Sequence, residues 1–175
     1  MSMIPSGALA PHFTLLGLDG REYTLPGGLE AEPMLIVFFR VSCNTCDLAF
    51  PYINRLQKQY PAGWKLWAVS QDDPKRTDDY REKFAIEAPV LLDAPALHVS
   101  ELYDPPSTPA LFLVTPDGRV DFTLEGFDKA DLNEISRRIA AFVGAAPVEI
   151  AAEDDGNPAM RPGCMARHLM PRRST

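Results

Sequence analysis

The sequence predicts an α/β domain, a mixed central sheet flanked by helices with an N-terminal β-hairpin. Three observations predict it. The run Met34-Leu35-Ile36-Val37-Phe38-Phe39 is continuously apolar, as a strand buried on both faces must be. Strand-like and helix-like segments alternate after it, which places helices against a sheet. Two turn signals, Asp19-Gly20 and Pro116-Asp117-Gly118, each sit between strand-like segments and call for antiparallel pairs.

The elements follow in order. Residues 1–12 are polar and proline-bearing. Phe13-Thr14-Leu15-Leu16 and Glu22-Tyr23-Thr24-Leu25 form the hairpin, which Pro26-Gly27-Gly28 ends. Met34 to Val41 is the first central strand. A helix from about Thr45 to Tyr60 carries Leu48, Ile53, Leu56 and Tyr60 at helical spacing, with Pro51 inside it as a kink. Gly63 closes a turn into the strand Lys65–Ser70, whose Trp67 reads as core. Asp72-Asp73-Pro74 caps a polar helix over about Thr77–Phe84. A short strand at Pro89–Leu92, a weak helix at Ala96–Leu102 and an irregular Tyr103-Asp104-Pro105-Pro106 come next. Ala110–Val114 and Val120–Leu124 make the closing hairpin. Asp128 caps a last helix with Leu132, Ile135, Ile139 and Phe142 on one face. Residues 1–143 therefore form one domain. From Gly144 to Thr175 the composition shifts to Ala, Pro, Gly and acidic residues, then to basic ones. That is a tail without its own core, docked or disordered.

Charge and cysteine count narrow the function. A net charge of −7 argues against nucleic acid or an anionic membrane as partner. The apolar runs are too short to span a bilayer. The N-terminus has neither a basic nor an apolar leader region, so the expected compartment is cytoplasmic, or extracytoplasmic if a signal was removed. Three cysteines are too few for a disulfide scaffold.

Cys43 and Cys46 make a C-x-x-C pair between a buried strand and a helix. Unpaired N–H groups and the helix dipole stabilise a thiolate there. Cys43 is expected to be the more exposed thiol and the nucleophile, and Cys46, one turn deeper, the resolving thiol. Arg40 and Thr45 are candidate tuners of the Cys43 thiolate. Zinc-ligand spacing gives the pair a second reading, with Cys164 and His168 completing four ligands. Cys164 reads as a surface thiol in a mobile tail, or as a regulatory or resolving thiol that reaches Cys43.

These residues resemble the thioredoxin-like superfamily, in its redoxin branch of TlpA-like thiol-disulfide oxidoreductases and AhpC/TSA peroxiredoxins. The resemblance spans about residues 7–143. It rests on the opening Gly7–Leu15 with Asp19-Gly20, on Cys43-Asn44-Thr45-Cys46 after a buried strand, and on Pro51 eight residues after Cys43. Ser107-Thr108-Pro109-Ala110 before a strand and the Pro116-Asp117-Gly118 hairpin with Gly126 complete it. It implies thiol–disulfide exchange at Cys43 and Cys46. It also implies a cis bond between Thr108 and Pro109, which shape the substrate groove. Expected partners are a disulfide-bearing protein or small molecule and an electron donor, with no organic cofactor, no metal, no nucleic acid and no membrane insertion. The protein is expected to be a monomer or weak dimer.

Several family side chains are missing. Ser42 stands where a Trp is common, Val37 where a buried acid is usual, and Ala49 where cytochrome-maturation relatives carry Glu. Asp47, Asp72 and a solvent route remain as proton acceptors for Cys46. A peroxiredoxin-like peroxidase is the alternative enzyme. It needs Thr or Ser three residues before its cysteine, where this chain has Arg40 or Cys43. The alternative that is not an enzyme is a zinc- or copper-binding module. The copper-binding relatives use two cysteines with three residues between them, where this chain has two, and a distant histidine, here His98 or His168.

Overall fold

The computed structural model describes residues 3–25 and 32–171; the Pro26-Gly27-Gly28 turn falls outside them. The elements in chain order are β1 (Phe13–Gly17), β2 (Glu22–Leu25), β3 (Met34–Phe39), α1 (Asn44–Gln59), β4 (Lys65–Ser70), α2 (Pro74–Lys83), β5 (Val90–Leu92) and α3 (His98–Tyr103). They continue with β6 (Ser107–Thr108), β7 (Ala110–Val114), β8 (Val120–Glu125), β9 (Phe127–Asp128), α4 (Lys129–Val143), β10 (Met160–Arg161) and β11 (Cys164–Met165).

Seven strands form one sheet in the order β2-β1-β5-β4-β3-β7-β8. Strands β3, β4 and β5 run parallel, while β7, β8 and the β1–β2 hairpin pair antiparallel. The sheet is therefore mixed, and β3 lies inside it with every residue buried. Alternation along β3 assigns the two cores. Leu35, Val37 and Phe39 face α1, α4 and Tyr80 of α2. Met34, Ile36 and Phe38 face Tyr103 of α3, Phe13 and Trp67.

Two boundaries and one burial differ from the sequence expectation. Strand β3 stops at Phe39 because the Val41 N–H leaves the ladder for Asp72 Oδ2 at 2.7 Å. Helix α2 starts at Pro74, not Thr77, because Asp73 accepts the Arg76 N–H at 2.9 Å and proline suits a first helical position. In α4, Leu132, Ile135 and Ile139 are buried as expected, but Phe142 is 41% exposed. It lies in the last turn of the helix, two residues before the Gly144 cap.

The tail docks over the domain. Val148 N–H donates to Tyr60 Oη and Ser136 Oγ to Val148 O. Ile150 and Ala151 pack into the α1–α4 core, with both their N–H groups on Asn133 Oδ1. Asp155 takes Lys129 Nζ at 2.6 Å. Then β10 pairs antiparallel with β9, and β11 with β6.

Candidate active site

Cys43 is the N-cap of α1. Its backbone is extended, and its sulfur accepts the Cys46 N–H at 3.1 Å. A sulfur thus takes the place usually filled by a Ser or Asp oxygen, and the exposed helix dipole acts on it. Pro51 lies on the exposed side of α1, where losing one N–H leaves a carbonyl to solvent rather than to the core.

The second wall comes from the β6–β7 connection. The Thr108–Pro109 bond is cis, as the resemblance implies, and so is Ala94–Pro95, for which the sequence gives no signal. Thr108 O lies 3.3 Å from Cys43 Sγ and Thr108 Oγ1 3.6 Å from it. The thiol form can donate to the carbonyl, and the thiolate form can accept from the hydroxyl. Thr108 and Pro109 are both buried.

The two thiols are driven apart electrostatically. Cys43 is lowered to about 5, first by the Cys46 thiol donating to it, then by Cys164, the Cys46 N–H and Thr108. Burial pushes Cys46 well up, and the neighbouring Cys43 charge adds to that. In the reduced protein at neutral pH, Cys43 is therefore a thiolate and Cys46 a thiol. Absorbance at 240 nm during a pH titration of reduced protein should show one thiolate forming near pH 5. A single step near the ordinary thiol value would refute this ordering. A depressed folded value contributes stability that is full above the unfolded thiol value and lost as pH falls through about 5.

The tuning candidates are placed differently from expectation. The Thr45 hydroxyl donates to Pro162 O at 2.7 Å rather than to Cys43. The Arg40 guanidinium lies 3.4 Å from Ser42 Oγ, its charge acts on Cys164, and its backbone N–H serves Cys46. Cys43 keeps the shallower place of the pair, but both thiols are covered: it is 1% exposed and Cys46 fully buried. The tail contributes to this, since Cys164 pairs with Thr108, whose carbonyl lies 3.3 Å from Cys43 Sγ. Cys164 is half-buried and packed on the core, not a thiol on a mobile surface segment.

Of the proton-acceptor candidates, Asp47 receives the Tyr80 hydroxyl at 2.9 Å. Burial first, then the Cys46 charge and Asp47, hold the Tyr80 phenol far above its usual range. Tyr80 has no sequence signal beyond an apolar helix position. Asp72 is instead paired with Arg167 at 2.5 Å. For the metal reading, His168 Nε2 faces Asp104 Oδ1 at 3.0 Å and His98 is exposed at the start of α3. Among the described residues no three His, Cys, Asp or Glu side chains are arranged to hold a metal ion. Nor is any described helix long and apolar enough to cross a membrane.

Fold and site together define a thioredoxin-like oxidoreductase. The AhpC/TSA family model matches residues 6–123, about two thirds of the sequence, and the chain belongs to that family. Among curated relatives, the thiol-disulfide oxidoreductase ResA of Geobacillus thermodenitrificans is 28% identical over 131 residues, 73% of this chain and 74% of that protein. ResA of Bacillus subtilis is 28% identical over 119 residues, 67% of this chain and 65% of the relative. Among solved structures, the thioredoxin domain of the thiol-disulfide oxidoreductase BVU-2223 of Bacteroides vulgatus superposes with a TM-score of 0.69 at 22% identity, covering 78% of this chain and 99% of that one. The hypothetical protein SMc02350 of Sinorhizobium meliloti 1021 gives 0.72 at 19%, covering 93% of both chains. Residues 1–143 make up only about 82% of this chain, so that likeness in fold extends into the tail.

Proposed function

We propose that the protein performs thiol–disulfide exchange through Cys43 and Cys46. The observation that carries this reading is the opposed pair of thiols at the start of α1, Cys43 lowered to about 5 and Cys46 raised. Cys43 thiolate attacks one sulfur of a substrate disulfide. A Cys43–substrate bond forms and the other substrate sulfur leaves as thiolate. Cys46 then loses its proton, attacks Cys43 Sγ and releases the second substrate thiolate. Asp47 with Tyr80, whose phenol feels the Cys46 charge, is the candidate proton-handling pair, and Thr108 with Pro109 shapes the groove. The substrate is a disulfide-bearing protein or small molecule, an external dithiol supplies or takes electrons, and the unit is a monomer or weak dimer. The compartment in this reading is cytoplasmic; acid-quenched alkylation of growing cells that finds the pair mostly oxidised would move it to an oxidising one.

The test runs insulin reduction by dithiothreitol and peroxide consumption in parallel. Disulfide reduction without peroxidase turnover is expected. The Cys46→Ser/Cys164→Ser variant should accumulate a mixed disulfide at Cys43, visible as a reducible mass adduct. Peroxide turnover that depends on Cys43, with no disulfide reduction, would replace this reading by a peroxidase.

A further inference from the structure

The exchange mechanism uses two cysteines, yet three meet at the site. The third arrives on β11, which lies antiparallel to β6 with Cys164 opposite Thr108 and Met165 opposite Ser107. An extended chain added to this edge is a common way for folded domains to hold a peptide. Here the peptide is the protein's own tail.

The seat is built for close approach. Any side chain at position 163 would place its Cβ 2.7 Å from Thr108 O and 2.8 Å from Ser107 Cβ, so only glycine fits. Gly126 faces it with φ +76°, and a Cβ there would lie 2.8 Å from Arg161 O and 2.9 Å from Gly163 N. Thr45 Oγ1 holds Pro162 O at 2.7 Å on one side of the seat. On the other, Arg167 binds Gln71 Oε1 through its N–H at 2.8 Å and Asp72 through its guanidinium at 2.5 Å. Between these anchors Cys164 lies opposite Thr108, whose hydroxyl donates to Cys164 O at 3.5 Å and whose carbonyl lies 3.3 Å from Cys43 Sγ, so Cys164 and Cys43 flank the same residue. Cys43 is left 1% exposed.

We propose that Cys164 is a third redox thiol of this site, which exchanges with the Cys43–Cys46 disulfide and locks the tail over the groove as a Cys43–Cys164 disulfide. This rests on the reading of Cys43 as an exchange thiol. In the step, Cys164 gives up its proton and attacks Cys43 Sγ. The Cys43–Cys164 bond forms and the Cys43–Cys46 bond breaks. Cys46 leaves as thiolate and takes up one proton, so no electrons are gained or lost. An external substrate reaches Cys43 only by displacing β11 from β6. The tail therefore acts as a tethered competitor for the groove.

The experiment equilibrates protein in oxidised and reduced glutathione and maps disulfides by non-reducing peptide mass spectrometry. In Cys46→Ser, Cys43 should be found joined to Cys164, exceeding Cys43–glutathione at least ~10-fold at about 1 mM glutathione, because the tethered thiol outcompetes the free one. Wild-type protein should show both Cys43–Cys46 and Cys43–Cys164 linkages. Gly163→Val, which lifts β11, should reverse the preference toward glutathione, with α1 and the sheet intact by circular dichroism. Cys43–glutathione with Cys164 still alkylatable in Cys46→Ser would overturn this proposal while leaving the exchange reading in place. Cys43 unreactive in Cys46→Ser/Cys164→Ser as well would sink the exchange reading itself. If Cys46→Ser does not fold, the wild-type linkages decide alone, and no Cys43–Cys164 peptide overturns the proposal.

Discussion

Cys43→Ser is expected to lower disulfide-reduction turnover by at least about 10³-fold, some 4 kcal/mol of barrier. A serine hydroxyl stays protonated where the thiolate forms, and an alkoxide is a far poorer leaving group. Insulin reduction and direct reaction with a small aromatic disulfide both read the loss. Residual activity within tenfold of wild type would mean that another thiol carries the first attack. The low Cys43 value acts mostly on departure rather than attack. A value of about 5 makes the thiolate fraction at neutral pH roughly a hundredfold larger than that of an ordinary thiol, but with a Brønsted slope of ~0.4–0.5 intrinsic nucleophilicity falls by nearly as much. What survives is easier expulsion of Cys43 when an outside thiol attacks the other sulfur of a disulfide it shares. A stabilised reduced form also raises the potential of the pair, toward the oxidising side of the thioredoxin-like range. The raised Cys46 has the opposite property. In the proposed exchange it waits as a thiol, and its step requires a proton acceptor.

Phe38→Ala should cost about 3–5 kcal/mol of folding stability. Phe38 is fully buried in β3, with ring centroids 5.3 Å from Tyr103 and 5.6 Å from Phe112, so truncation leaves a cavity ringed by stiff aromatic neighbours. Urea denaturation of the reduced proteins checks it, with the midpoint falling and the slope unchanged. Phe142→Ala serves as the contrast. With its ring partly in water, the change should stay within about 1 kcal/mol. Phe38 points to the sheet face opposite α1, so the thiolate step near pH 5 should survive in the variant. A loss under about 1 kcal/mol for Phe38→Ala would mean the core collapses around the gap.

The legible parts of this protein are those written in local pattern. Continuous apolar character in Met34–Phe39 is enough to bury β3 on both faces. Asp73 and Asp128 announce the starts of α2 and α4 because a short acidic side chain satisfies first-turn N–H groups. The C-x-x-C at a strand–helix junction, with Thr108-Pro109 far along the chain, identified the class of site, since those residues must meet at one end of the sheet. Tyr80, the anchoring roles of Thr45 and Asp72, and the placement of Cys164 carry no such signal. Their partners lie 33, 117, 95 and 56 residues away, at Asp47, Pro162, Arg167 and Thr108.

The Cys43-Asn44-Thr45-Cys46 stretch determined by itself that two thiols would stand at a helix N-terminus, where dipole and amides favour one thiolate. Only the tertiary structure decided how accessible that thiolate is. Composition marks residues 144–175 as coreless, which is true of the segment alone. Its Ile150, Ala151 and Ala166 are nonetheless buried, because α1, α4 and the β6 edge supply the other half of each contact. A surface that is completed by two distant segments is invisible in either of them.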